Sequence, residues 1–350
     1  MTGVVFAVPG DLASPTGGYH YARRVLDGLP GEGVAVTHLT LPARYPDPSP
    51  ADLAETARLV AGTPADAVLL IDGLAYGAMP ESLIAGFGRP VVALVHHPLG
   101  LESGLPPERQ AALIASEARA LALARRIIVT SPLTARLLAA EFGVDPAIVA
   151  VAEPGTDPAP RARGTGRPVE LLAVGAVSPR KGFTLLVEAL GSLRDADWHL
   201  TLAGALDRDP EAVAGLRRAI AAQGLEARVT LTGNVDRLTL DRLYAAADVL
   251  VSPSLYEGYG MALAEGLARG LPLVASTGGA AAETVPDAAA LKVPPGDGPA
   301  LRAALERVVK DRALRERLAE AAWEAGQGLP RWTDTAARIA TVLKQAGEAA

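Results

Sequence analysis

In "YEGYGMALAEG" (256–266), Glu257 stands on a glycine-flanked loop, and Glu265 follows after seven residues, two turns into the helix expected there. Glutamates gather on any surface helix, so the pair acquires meaning only from its surroundings. Gly258 and Gly260 free backbone N–H groups at a helix start, which suits an anion. Upstream, "VGAVSPRKGF" (174–183) sets Arg180 and Lys181 just before Gly182, two cations where a phosphate can sit; the alternative is a solvated basic turn. Gly17 and Gly18 open another expected helix, whose dipole and N–H groups favour an anion unless the glycines form only a tight turn. Their spacing is not the G-x-G-x-x-G of a dinucleotide-binding turn. In "VHHPLGLE" (95–102), His96 and His97 end a strand, whose alternation sends one of them to each face; a structural and a site role are both open. A metal site needs further ligands at suitable spacing, and none stands near these histidines.

Each of these segments follows or ends a short apolar run. The runs are 4–8, 34–41, 67–72, 91–97, 126–131 and 148–155, then 169–177, 198–205, 228–235, 249–254, 272–276 and 290–297. Most are apolar on both faces and alternate with stretches of helical period, the pattern of parallel strands buried between helical layers. Between the two series, the Pro-, Gly- and Arg-rich "TDPAPRARGTGRP" (156–168) has no periodicity and reads as a linker. The reading is α/β, with two doubly wound domains at 1–157 and 169–327, a linker at 158–168, and a final segment at 328–350. In such sheets ligands bind beyond the carboxyl ends of the strands, where the residues above fall.

The 350-residue length and 49% apolar content supply two cores. A net charge of −6 argues against a nucleic-acid surface. The absence of cysteine excludes disulfides, thiolate metal sites and cysteine nucleophiles. No run approaches the roughly 18–20 apolar residues that span a bilayer, and "VVFAVPG" (4–10) lacks the charged start and cleavage site of a signal peptide. A soluble cytoplasmic protein is expected.

The EGYG segment resembles the E-G-F-G…E-A signature of the retaining glycosyltransferases of family 4, in which seven residues also separate the two glutamates (the EX7E pattern). The resemblance extends through "TGGYHYARR" (16–24), "VHHP" (95–98), "IVTSPLTARLL" (128–138), "PGTD" (154–157), "PRKG" (179–182), "YAAADVLVSPSLYEGYG" (244–260), "STGG" (276–279) and "RWTDTAARIATVL" (331–343). It implies the GT-B fold, two Rossmann-like domains facing each other across a cleft that holds the site, with the final helix crossing back to the first domain. It implies transfer of a sugar from a UDP-, GDP- or ADP-sugar to an acceptor hydroxyl with retention, the leaving phosphate taking the acceptor proton. By the same resemblance Glu257 bonds hydroxyls of the transferred sugar, with the backbone of Gly258, Tyr259 and Gly260 close to sugar and phosphate. Glu265 accepts from the ribose hydroxyls, and the diphosphate lies between Arg180 with Lys181 and the Gly17–Gly18 loop. His96 bonds the sugar's hydroxymethyl region. Neither a metal nor another cofactor is expected.

Two positions depart from the family. Ala176 follows Gly175 where an arginine is usual, and Pro154 replaces the asparagine near the hinge. The first keeps a catalytically silent nucleotide-sugar binding protein among the alternatives, beside an epimerase or phosphorylase on the same fold; a Rossmann oxidoreductase is weaker, since no G-x-G-x-x-G follows any strand. Candidate acceptor segments are "IDGLAYG" (71–77) and "GLESGL" (100–105). The helix expected over 106–126 mixes charge signs rather than forming a basic membrane face, so the acceptor is expected to be soluble.

Overall fold

β3 (Val68–Asp72) and β4 (Val91–Val95) are buried at every position, as strands covered by helices on both faces must be. They lie at the centre of a parallel sheet with β1 (Gly3–Pro9), β2 (Ala35–Leu41), β5 (Arg126–Val129) and β6 (Val149–Val151), in the order β2-β1-β3-β4-β5-β6. A second parallel sheet takes the remaining runs: β7 (Val169–Val174), β8 (Trp198–Ala203), β9 (Val229–Gly233), β10 (Val249–Ser252), β11 (Leu273–Ser276) and β12 (Ala290–Val293). Its order is β12-β11-β10-β7-β8-β9. The computed structural model describes residues 3–102 and 104–348, so Ser103 of the candidate acceptor segment 100–105 lies outside the described residues. The chain divides into two compact units, Met1–Gly155 with Pro330–Ala350, and Thr156–Leu329.

In the first unit, the register Val4↔Val68 and Leu69↔Val91 stacks alternate side chains of β1, β3 and β4 into one core with Tyr76, Leu121 and Leu138. The terminal helix Trp332–Glu348 belongs to this unit. Trp332 anchors it: its ring meets Tyr21 edge-on at 5.7 Å and carries the Arg24 guanidinium at 5.1 Å. In the second unit, the Arg-rich segment before β7 is fixed by Arg161, which pairs with Glu320 at 2.6 Å and lies over Trp323, and by Ala162, which donates to the Arg269 carbonyl.

The helix Pro107–Ala122 buries Leu113, Glu117, Ala120 and Leu121, one stripe at helical spacing with a carboxyl in its middle. Glu117 Oε2 accepts the Leu99 N–H at 2.7 Å, which ties the turn Leu99–Leu101 beyond β4 to this helix. Burial pushes the Glu117 carboxyl up to about 8, against the opposing pull of the Leu99 and Gly100 N–H groups. The unfolded chain releases this proton near the ordinary value of 4.5, the folded one only near 8. The folded state therefore binds more protons between these values, and stability falls as pH rises through that window. Glu117→Gln removes the titration and keeps an acceptor. Denaturant midpoints across the window are expected to decline with pH in the wild type relative to Glu117→Gln; parallel profiles would show that Glu117 is not held protonated.

Candidate functional site

β7 and β10 are neighbours in the second sheet, and chain order reverses between them: β8 and β9 lie to one side, β11 and β12 to the other. Open α/β sheets hold ligands beyond the carboxyl ends of such a pair. β7 leads to the 3-10 turn Pro179–Lys181, and β10 to the loop that carries Glu257. The Leu255 N–H donates to the Arg180 carbonyl at 2.7 Å and joins the two segments. Gly182 permits this approach: its φ is +65°, and a Cβ there would stand 2.3 Å from the Pro253 oxygen. The Glu257 loop is held on its other side by 278–280. Glu257 N–H donates to Gly278 O at 3.1 Å, and Ala280 N–H donates to Glu257 O at 2.8 Å.

The Glu257 side chain is buried with its charge answered. Oε1 accepts from Lys181 Nζ and from Ser254 Oγ, each at 2.6 Å, while Arg180 Nη1 stands 3.6 Å from Oε2. Burial by itself pushes this carboxyl up, yet the Lys181 and Arg180 charges and the bonds from Lys181 and Ser254 hold it below its ordinary value. Glu257 is therefore ionised at neutral pH. Arg180 is not a solvated turn residue: Nη1 also donates to the Tyr256 carbonyl at 2.7 Å and braces the loop. Tyr259 is buried, its carbonyl accepting from Thr284 Oγ1 at 2.7 Å, and Gly260 (φ +97°) starts the helix Met261–Leu267.

That helix has only seven residues, so Glu265 stands little more than one turn in, not two. Both its oxygens have protein partners: Arg237 Nη1 at 2.8 Å from Oε1, and the Tyr244 hydroxyl donating to Oε2 at 2.8 Å. Arg269 covers the Tyr244 ring at 4.5 Å and donates to the Glu265 carbonyl and to Asp241. Burial, and then the neighbouring Glu265 charge, raise the Tyr244 hydroxyl well above its ordinary range, so it stays a neutral donor. Sequence reasoning missed Arg237 and Tyr244. Arg237 lies four residues beyond β9, a strand-end position; Tyr244 opens the segment 244–260 that carries the resemblance, but nothing local pairs it with Glu265.

The remaining expected site residues lie in the first unit, and the structure brings them together. Gly17 and Gly18 form the first turn of the helix Gly17–Gly28, capped by Thr16, whose hydroxyl accepts the Tyr19 N–H at 3.4 Å; they are not a tight turn. A Cβ on Gly18 would lie 3.7 Å from the His96 ring, an ordinary contact. His96 and His97 both fall beyond β4, whose pairing ends at Val95↔Val129, so strand alternation does not assign their faces. His96 Nε2 lies 3.3 Å from Asp72 Oδ2, and His97 Nε2 lies 4.0 Å from Glu102 Oε2. Among the described residues no group of three or more His, Asp or Glu is placed to hold a metal ion, and no helix is long and apolar enough to cross a membrane.

Removing one partner of a buried ion pair leaves the other charge uncompensated. Lys181→Met is expected to cost about 3 kcal/mol in a urea titration, and Lys181→Met with Glu257→Gln to recover much of that loss. A loss below about 1 kcal/mol in the single variant would show that Arg180 and Ser254 suffice to hold Glu257.

Comparisons with known proteins fit this geometry. Residues 4–155 match the family described as "Glycosyl transferase 4-like domain", and residues 160–325 match "Glycosyl transferases group 1". The chain is 33% identical over 157 residues to the Alpha-D-kanosaminyltransferase of Streptomyces kanamyceticus, covering 44% of this chain and 39% of that one. It is 28% identical over 324 residues to the MMP alpha-(1->4)-mannosyltransferase of Mycolicibacterium hassiacum (88% and 77%). It is 31% identical over 278 residues to the D-inositol 3-phosphate glycosyltransferase of Kineococcus radiotolerans (70% and 62%). The chain thus spans less than two thirds of the first and third of these relatives. Among solved structures, sucrose-phosphate synthase (tll1590) from Thermosynechococcus elongatus superposes with a TM-score of 0.84 at 24% identity, over the whole of both chains. Anabaena Alr3699/HepE, solved in complex with UDP and glucose, gives 0.78 at 18% identity over 99% of this chain and 100% of that one. At these identities the likeness is one of fold, the GT-B fold. With a 4-like domain followed by a group 1 domain, the chain belongs to the glycosyltransferases.

Proposed function

We propose that this chain moves a sugar from a nucleotide-diphosphate sugar to an acceptor hydroxyl, with retention of configuration and without a metal ion. One observation carries the reading: a buried, ionised Glu257 flanked by Lys181 and Arg180 where chain order reverses in the second sheet. Two cations and one carboxylate leave a net positive charge, suited to a diphosphate. Lys181 Nζ has three protons, so it serves Glu257 and a phosphate oxygen together. Arg180 supplies the second cation, in place of the arginine that Ala176 lacks. Glu257 Oε2 accepts from hydroxyls of the transferred sugar, and Glu265 accepts from the ribose on lone pairs beyond those that Arg237 and Tyr244 use.

In the reaction, the bond from the anomeric carbon to the phosphate oxygen breaks and the acceptor oxygen bonds to that carbon on the same face. The acceptor proton passes to the departing phosphate oxygen. Charge develops on the nucleoside diphosphate, where Lys181 and Arg180 stabilise it by preorganised electrostatics. No carboxylate at glycosidase spacing is needed. The UDP and UDP-glucose in the HepE complexes support a nucleotide-sugar donor. No observation favours an epimerase or phosphorylase.

The two glutamates are assigned to different parts of the donor, and calorimetry with free UDP, GDP and ADP tests this. Glu265→Ala is expected to weaken the nucleoside diphosphate by about 1.5–3 kcal/mol, the range for charge-assisted bonds, and Glu257→Ala to leave it nearly unchanged while abolishing turnover. Equal losses in both variants would contradict the assignment. Activity is expected to survive EDTA; a loss reversed only by Mg²⁺ or Mn²⁺ would show that the diphosphate is held through a metal.

A further inference from the structure

In the first sheet, chain order reverses between β1 and β3, and the residues that follow β1, β3 and β4 meet there. Asp72 closes β3 and caps the short helix Gly73–Tyr76: its Oδ1 accepts the Leu74 N–H at 2.9 Å. Gly73 lets this turn lie against the end of β4, since a Cβ there would stand 2.9 Å from the Leu94 oxygen. Asp72 Oδ2 is thereby presented to His96 Nε2, 3.3 Å away. Two further contacts restrain the histidine. Thr130 Oγ1 donates to its carbonyl at 3.2 Å, and the Tyr21 ring meets the imidazole edge-on at 5.1 Å. Tyr21 is itself fixed by donating its hydroxyl to the Ala152 carbonyl at 2.8 Å.

His96 Nε2 is sealed from solvent, and among the described residues no hydrogen-bond partner meets it in good geometry. A lone pair at Nε2 would face the carboxylate, whereas a proton there meets an acceptor. Nδ1 is not among the enclosed atoms, and the side chain keeps 25% of its surface exposed. We propose that Asp72 is a positioning residue that fixes neutral His96 as the Nε2–H tautomer, leaving Nδ1 as an outward hydrogen-bond acceptor. Such an acceptor takes a hydroxyl of a sugar or polyol and refuses a carbonyl or phosphate oxygen. That consequence rests on the proposed sugar transfer; the tautomer does not.

The cap makes the test unusually specific. In Asp72→Asn the amide oxygen is required at the Oδ1 position to accept the Leu74 N–H, so the NH₂ group takes the Oδ2 position and donates to Nε2. The fold and the cap survive while the tautomer inverts. Two-bond ¹H–¹⁵N correlations of the imidazoles, in mildly alkaline buffer with His96 assigned by comparison with His96→Gln, read this directly. Nε2–H is expected in the wild type and Nδ1–H in Asp72→Asn, at nearly unchanged thermal midpoint. Nδ1–H in the wild type would overturn the proposal, even if the variant did not fold. So would one tautomer in both folded proteins. In turnover, Asp72→Asn is expected to lower kcat about ten-fold or more, as loss of an oriented hydrogen bond does, with nucleoside diphosphate affinity unchanged. An inverted tautomer with unchanged turnover would uphold Asp72's role and remove His96 from the sugar site.

Discussion

A buried carboxylate must have its charge answered, and Glu257 is where this chain meets that demand. Lys181, Arg180 and Ser254 come from two segments that leave different strands, and they converge on one side chain. The glycines follow from the same constraint. Without Gly182 the Lys181 turn could not pass the Pro253 carbonyl, and without Gly279 (φ +65°) the Gly278–Ala280 segment could not bond the Glu257 backbone. A solvated glutamate would move freely and need none of this. Enclosed, it holds both cations at one place beyond the strand ends.

The first unit repeats the logic with a weaker charge. Its sheet also reverses order at the centre, and a buried acid at the end of β3 faces a side chain from the end of β4. Asp72 spends one oxygen on a helix cap and the other on His96, so local folding and side-chain orientation depend on one residue. Glu117 does comparable work beyond the histidines, holding the Leu99 N–H from the neighbouring helix. Each unit thus builds its polar cluster from residues that its own strands deliver.

Among the described residues all twelve strands fall on apolar runs of the sequence, and the central ones are the plainest, because parallel strands buried on both faces leave runs such as "VVALV" and "VLLID" that few other elements produce. Strand-end positions were legible for the same reason, and they drew attention to Arg180, Lys181 and His96. Their partners were not. Lys181 and Glu257 are 76 residues apart in the chain, and no local pattern records that they meet. Arg237 on Glu265, Tyr244 beneath it and Asp72 beside His96 are likewise products of sheet order, which periodicity does not fix. The alternation argument for the two histidines failed because β4 stops at Val95, one residue short of them. The family resemblance supplied roles for residues but not these contacts.

In the proposed transfer a nucleotide sugar gives up its sugar with its anomeric configuration kept. The most direct measurement is NMR of the anomeric proton during incubation of the protein with α-linked UDP-, GDP- and ADP-sugars and a panel of polyol and sugar acceptors. One nucleotide class is expected to release its diphosphate only when an acceptor is present, and the new linkage to show the larger one-bond anomeric C–H coupling of an α-configured product, which separates the anomers of gluco and manno sugars alike. A β-configured product would contradict retention, and binding of every donor without release under any acceptor would contradict the transfer itself.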